Sequence, residues 1–508
     1  MHARASERDD DPELLALRRW QRTRAARTFA LLSLACLLAA GLWVRRSTVA
    51  AFVRGEIDLR GHARYQPRHE IDWDALNDVD LARVHATLVP RYLVALATID
   101  TPASRRRAEY AYRDLADELA ADPNLSAMWS EIHALATASV LRNARRLDYL
   151  LWAHDQYMEQ LDAPYRIEAT LHLGEDRAVL SALTYRVLSE TRAPGGPRVR
   201  VLRRLDRFAI VEGWLGHTPS EDAGAFVVAD RVLHFAVHTV WPALHPALDE
   251  RRPSAQRGLL EGVRREARMA LSTEAYALLE ELAEDQQALL DAAETIHARH
   301  ACGSEFSVFD IPYTGLSTRS VQMLRMALER SRDRECPDVT LGEAASIVGA
   351  SERLRASAAL PAALEELTAL VGRAVAAHEV RHVADGARAD VPCPGCREGT
   401  PSLVRAELSA YLAGFATPGV GYVAALQACS HPREVGLHAV AIEEATSAVI
   451  DGGCEQAAPD DLYARARAAE ARYFGERPQI GAPRGFPRQL AVLAGARRGR
   501  RRATGWAQ

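Results

Sequence analysis

His378-Glu379-Val380-Arg381-His382 constrains this chain more than any other stretch. It reads H-E-x-x-H inside an apolar, helix-periodic run from Leu364 to Ala384. On an α-helix, residues four apart stand almost one above the other. Both imidazoles therefore project from one face, one turn apart, where two ring nitrogens can grip a single divalent cation. Glu379 points slightly round the helix, towards the cation's open position. There a carboxylate can take a proton from an attacking water. Small apolar residues, Ala374 to Ala377, precede the motif, and Gly386 follows it as a helix stop.

A catalytic zinc takes three protein ligands and keeps one position open. Glu407 is the best third candidate. It lies in a second apolar helical run, Leu403 to Ala413, after a loop rich in Pro, Gly and Cys. Asp385 and Asp390 are rivals for the same role. Asp385, one turn beyond His382, is also placed to orient an imidazole. Tyr411, Tyr422, His431 and His438 lie downstream and are candidate donors to a developing oxyanion.

With these residues the chain resembles the zincin metallopeptidases, and among them the gluzincin group. The resemblance rests on His378, Glu379, His382 and, less directly, Glu407. It implies that His378, His382 and Glu407 hold Zn²⁺ and that Glu379 is the general base. It covers about a tenth of the 508 residues. The chain departs from that group at Tyr411, where members often carry an Asp one turn after the third ligand. It also lacks the metzincin extension, because Asp385 and Arg388 stand where a Gly and a His would be.

Composition excludes other classes. Hydrophobic content of 48% and charged content of 26% describe an ordinary globular protein. The 63 basic residues are all Arg, a coding bias that weakens any reading of Arg clusters as nucleic-acid sites. The net charge of −4 offers no basic field for a phosphate backbone, so no nucleic-acid partner is expected. The terminal run Arg497–Arg502 reads as a solvated tail.

Thr28 to Val44 is an uninterrupted apolar stretch flanked by arginines on both sides. At ~1.5 Å per residue it reaches roughly 25 Å, a short membrane crossing. It reads as a single transmembrane signal anchor, ahead of a cleaved signal peptide or a lipoprotein signal at Cys36. That reading places the protein in the inner membrane, with its C-terminal domain periplasmic or extracellular. Of seven Cys, six fall in the C-terminal half (Cys302, Cys336, Cys393, Cys396, Cys429, Cys454). Their even number fits disulfides. Cys393-Pro394-Gly395-Cys396 also looks like half of a zinc ribbon, without a second C-x-x-C.

The expected organisation follows. Residues 1–27 form a cytoplasmic tail, 28–44 the anchor and 45–72 a linker. Residues 73–163 are helical, with breaks at Thr101-Pro102 and Asp122-Pro123. Residues 164–245 are a small α+β region with alternating segments at 165–171 and 183–187, a turn at 193–197 and strands at 199–201 and 210–214. Residues 246–490 form a helical zincin-like domain and 491–508 a basic tail. Ser272 and Thr273 cap a helix reaching about His300, where His297, His300 and Cys302 make a weak metal-like cluster. Further helices are expected at 317–334, 341–357, 362–385, 402–415 and 438–450. The expected fold class is mainly α with a small antiparallel sheet (α+β). The expected function is a membrane-anchored zinc metallopeptidase acting on a peptide or protein. The alternative is a non-catalytic envelope scaffold in which H-E-x-x-H is accidental or a structural metal clip. Oligomeric state is left open.

Overall fold

A computed structural model describes residues 65–97, 101–137, 144–173, 178–193, 196–205, 215–218, 224–298, parts of 322–329, 339–386, 390–430, 436–456 and 458–478. Expectations for the N-terminal tail, the 28–44 span, most of the linker, the 210–214 strand, His300, Cys302, His431 and the basic tail lie outside these residues.

The N-terminal module is helical. Its longer helices are α1 (Val89–Ala97), α2 (Pro102–Leu119), α3 (Pro123–Thr137) and α4 (Ala144–Gln160). Both breaks expected from sequence are helix starts. Thr101 and Ser104 exchange hydrogen bonds in a capping box, with Pro102 at the first helical position. Asp122 Oδ1 accepts from the backbone N–H of Asn124 (2.8 Å) and Leu125 (2.9 Å), with Pro123 following. These helices bury Tyr92, Leu115, Trp129, Ile132 and Tyr157 in one core.

Beside that core lie His85 and His154, both without solvent exposure. His85 sits in a π-helical turn, Val84–Leu88. Its Nδ1–H donates to Leu81 O at 2.7 Å, which leaves Nε2 as an acceptor facing His154 Nε2 at 3.3 Å. Tyr165 stacks on the other side of His85, at 4.5 Å between ring centroids. Burial, then the facing His154, pushes His85 down to about 3. Burial, then Arg166, pushes His154 down to about 3. Asp155 Oδ1 stands 3.4 Å from His154 Nδ1.

The sheet has five strands: β1 (Tyr165–Leu173), β2 (Ala178–Arg192), β3 (Arg198–Arg204), β4 (Gly216–His217) and β5 (Ala225–Val228). Their order is β1-β2-β3-β5-β4. The expectation of an antiparallel sheet is corrected here. The first three strands form an antiparallel meander, but β5 pairs parallel with β3 and β4 pairs antiparallel with β5, so the sheet is mixed. The cause is connectivity. The chain leaves β3 at one end of the sheet, forms the edge strand β4, and turns back so that β5 runs alongside β3.

Helices follow: α5 (Ala229–Phe235), α6 (Leu260–Ala270), α7 (Thr273–Glu281), α8 (Ala283–Ala298), α9 (Leu341–Ala356), α10 (Leu360–Ala384), α11 (Ser402–Phe415), α12 (Gly421–Ser430), α13 (Leu437–Val449) and α14 (Leu462–Phe474). Ser272 caps α7 as expected. The single helix expected from there is divided, α7 ending at Glu281 and α8 beginning at Ala283. Helices α12 and α14 carry no periodic signal strong enough to have been foreseen.

The 25-residue α10 is the central element. It packs on β4 and β5, on α5 and α7, and on α11. A helix surrounded in this way is apolar on most of its faces. Its end is set by Gly386, whose φ of 80° is a left-handed conformation open to glycine.

A second correction concerns the membrane. No helix among the described residues is long and apolar enough to cross one. Even α10 carries Glu365, Glu366, Arg373, Glu379 and Arg381 along its length, so a bilayer core would have to accept several charges. The transmembrane fold class and the single-pass inner-membrane location are accordingly not retained.

Among the described residues there are two disulfides, Cys393–Cys396 and Cys429–Cys454. The second joins the end of α12 to the turn after α13, across a sequence separation of 25. Closing a loop of that size restricts the unfolded chain by about 3 kcal/mol. The double variant Cys429→Ser/Cys454→Ser should lower unfolding free energy by about that amount in chemical denaturation. An unchanged midpoint contradicts this.

The histidine pair makes a pH prediction. The folded rings take up protons only near pH 3, whereas the unfolded ones do so from about 6.5. The stabilising effect of keeping them neutral is fully present above 6.5. It is lost as pH falls from there, by about 1.4 kcal/mol per pH unit per ring. Hydrogen exchange at 84–88, corrected for intrinsic rates, should report easier opening at about pH 5 than at about pH 7. A flat profile would contradict a neutral pair.

Candidate metal centre

Helix α10 presents His378 and His382 on the face turned towards α11, and α11 presents Glu407 back to them. His378 Nε2 and His382 Nε2 are 3.1 Å apart. Glu407 Oε2 lies 3.4 Å from His378 Nε2, and Oε1 lies 3.5 Å from His382 Nε2. Three donors held ~2.1 Å from one ion in tetrahedral array stand roughly 3.4 Å from each other. Each imidazole is nearest a different Glu407 oxygen, and with one donor atom taken from each residue the three lie within 4.8 Å of one another, a group that could hold a metal ion. Among the described residues this is the one group of three or more His, Cys, Asp or Glu side chains that could hold a metal ion.

The electrostatics point the same way. Burial alone would raise the Glu407 carboxyl. The neighbouring imidazoles of His378, His382 and His438 overcome it and hold Glu407 well below the usual carboxylate range. Burial would lower His382, but the hydrogen bond and charge of Glu407, with Glu379 and Asp385, raise it. The Glu407 carboxylate is thus kept ionised beside the imidazoles. Tyr411 packs edge-on against His378, with ring centroids 4.7 Å apart. Burial first, then Glu407 and Glu379, raises its phenol far above the ordinary value, so it stays protonated.

A polar clamp behind the triad fixes the register of α10 and α11. Ser409, two residues after Glu407, donates to Asp385 Oδ2 at 2.6 Å, and Asp385 lies three residues after His382. Arg381 Nε donates to both, at 3.2 Å each. Arg477 Nη1 reaches Asp385 and Ser409 from beyond α14, and its Nη2 donates to Pro392 O at 3.2 Å. Arg381 also pairs with Glu470 on α14 at 3.4 Å. The C-x-x-C loop between the two helices is held by its own disulfide and by the Gly395 N–H on Tyr473 O at 3.0 Å.

Glu379 is 5% exposed and faces the edge strand β4. The strand runs flush against α10 at this point. A Cβ on Gly216 would come within 2.7 Å of Val375 and 2.8 Å of Glu379 Cγ, so the approach requires glycine. Just past the strand, Thr218 Oγ1 stands 3.0 Å from Glu379 Oε2 and 3.1 Å from Glu379 O.

The sequence-based candidates divide clearly. His378, His382 and Glu407 converge, with Glu379 beside them. Asp385 serves the clamp and accepts from Ser409 and two arginines. Asp390 is a solvent-facing partner of Arg405. Tyr422 belongs elsewhere, donating to Pro459 O at 2.7 Å. His438, exposed at the start of α13, brings Nδ1 to 3.6 Å from Glu407 Oε2 and remains at the site's rim. Sequence reasoning missed Ser409, Arg477 and Thr218. Ser409 was within reach, being a hydroxyl two residues from Glu407 on a buried helix. Thr218 carried no signal, since 161 positions separate it from Glu379.

No protein-family model, curated protein or solved structure matches this chain. Its geometry is therefore the ground for any functional reading.

Metal addition should stabilise the fold through this cluster. At a hundredfold excess over the dissociation constant the gain is about 2.7 kcal/mol. The thermal midpoint of the metal-free protein should rise on addition of Zn²⁺. The double variant His378→Ala/His382→Ala should lose that rise. An equal rise in both would place the ion elsewhere.

Proposed function

We propose that the chain is a zinc-dependent metallopeptidase, with His378, His382 and Glu407 as ligands and Glu379 as general base. The observation that carries this reading is the convergence of two imidazole nitrogens, 3.1 Å apart, on the two oxygens of one carboxylate at 3.4 and 3.5 Å, beside a buried glutamate on the helix that carries both imidazoles. Two imidazoles and one carboxylate are a donor set that suits zinc and leaves a fourth position for water. The resemblance to the gluzincin group supports the same assignment.

Zinc bound there would lower the pKa of a water and polarise the substrate carbonyl. The protein's own groups do the rest. Glu379 accepts the proton as the water oxygen attacks the amide carbon. It then delivers that proton to the amine nitrogen as the C–N bond breaks. Burial of Glu379, Glu407 and His382 strengthens each of these charge interactions. The clamp of Asp385, Ser409 and Arg381 holds two ligands in register without spending either on a hydrogen bond of its own.

A structural metal clip is the competing reading, and one observation favours it. His438 Nδ1, 3.6 Å from Glu407 Oε2, is placed to swing in as a fourth protein ligand. A closed four-ligand site would bind metal without hydrolysing anything.

Glu379→Gln separates the two. Under the peptidase reading it retains stoichiometric zinc while hydrolysis of unstructured peptides falls by about 10³-fold. Wild-type zinc protein that cleaves no peptide in a broad library, or a variant with undiminished turnover, contradicts the proposal.

A further inference from the structure

We infer that Thr218 is a positioning residue for Glu379, setting the carboxylate's orientation from the edge strand. The inference rests on the open metal site proposed above and deepens it. Three observations support it.

The first is proximity. Thr218 Oγ1 is 3.0 Å from Glu379 Oε2, a full hydrogen-bond contact between a hydroxyl donor and a carboxylate.

The second is proton counting. The hydroxyl has one proton and two acceptors in reach, Oε2 at 3.0 Å and the Glu379 carbonyl at 3.1 Å. Glu379 lies inside α10, where a helical carbonyl accepts from the N–H four residues on. The carboxylate has no such built-in donor, so it takes the larger share of the Thr218 proton.

The third is the anchoring of Thr218. The residue follows β4, which is hydrogen-bonded to β5 through Gly216↔Val227 and His217↔Phe226. Gly216 leaves no space for a Cβ against Val375 and Glu379. The strand is therefore seated on the helix one and two residues before Thr218, and the hydroxyl cannot drift from its partner. Catalytic groups work only when their own rotamers are locked by such outer contacts.

The consequence is a division of labour along the Glu379 carboxylate. Oε2 is held by Thr218. Oε1 is left to meet the group whose proton it takes. Rotation of the unheld carboxylate would break the proton-accepting geometry without touching the metal ligands.

The test uses zinc-loaded protein and acetohydroxamate, a small metal chelator whose proton is accepted by a neighbouring base. Calorimetric affinity is measured for wild type, Thr218→Val and Thr218→Ser, with bound zinc quantified in each. The variants Val and Ser bracket the hydroxyl: one keeps the shape and the other keeps the donor. The expected result is undiminished zinc in all three, affinity about tenfold weaker in Thr218→Val, and recovery in Thr218→Ser. Where a cleavable peptide is in hand, Thr218→Val should lower kcat by a similar factor with KM unchanged. Equal affinity in Thr218→Val and wild type overturns the inference while leaving the metal site standing. Loss of zinc in Thr218→Val, unrecovered by Ser, overturns it in favour of a purely structural role. Zinc-loaded wild type that binds no hydroxamate removes the open site and the positioning role together, and zinc retention then identifies a closed metal clip.

Discussion

The packing of α10 against α11 is the contact on which the rest of the centre depends. A metal site from two helices needs their relative register fixed to a fraction of an ångström. Apolar packing alone leaves a helix pair free to slide, because dispersion and burial are non-directional. Here the register is pinned by directional bonds: Asp385 at the end of one helix, Ser409 on the other, and Arg381 and Arg477 across both. The arginines compensate the half-buried aspartate, and the aspartate in turn makes the burial of Arg381 tolerable. Arg477 extends the clamp to the C-x-x-C loop through Pro392.

With the helices pinned, charge organises the centre. Glu407 is nearly buried yet kept ionised by the imidazoles around it. Glu379, between His378 and His382 on α10, has one carboxylate oxygen on Thr218. The two glutamates are chemically identical but differently surrounded. One is walled by imidazoles and suits a ligand. The other meets a hydroxyl and suits a base. The edge strand contacts Glu379, while the second helix brings Glu407 to the two imidazoles.

Much of the site was legible in the sequence because a helix converts spacing into geometry. H-E-x-x-H needs no tertiary information to place two imidazoles on one face, and the apolar run of Leu403 to Ala413 marked Glu407 as inward-facing. Helix bounds near Thr101, Asp122, Ser272 and Gly386 were readable because caps and glycine stops act locally. Contacts between distant segments were not. Thr218 reaches Glu379 across 161 positions, and the parallel pairing of β3 with β5 depends on a return path that no local pattern encodes. Asp385 shows the limit from the other side. Its place one turn beyond His382 suggested an imidazole partner, but Ser409 and two arginines claim its oxygens. The membrane expectation rested on residues 28–44, outside the described residues, and no helix among the described residues is long and apolar enough to cross a membrane.

The most direct measurement is zinc X-ray absorption on the metal-loaded protein. This account predicts a first shell of nitrogen and oxygen at about 2.0–2.1 Å, with imidazole scattering from two rings and no sulfur. Replacing Glu407 with Gln should perturb that shell while both imidazoles remain. A sulfur shell near ~2.3 Å, or a shell of oxygen without imidazole, would show that the ion sits elsewhere and would contradict the assignment of His378, His382 and Glu407.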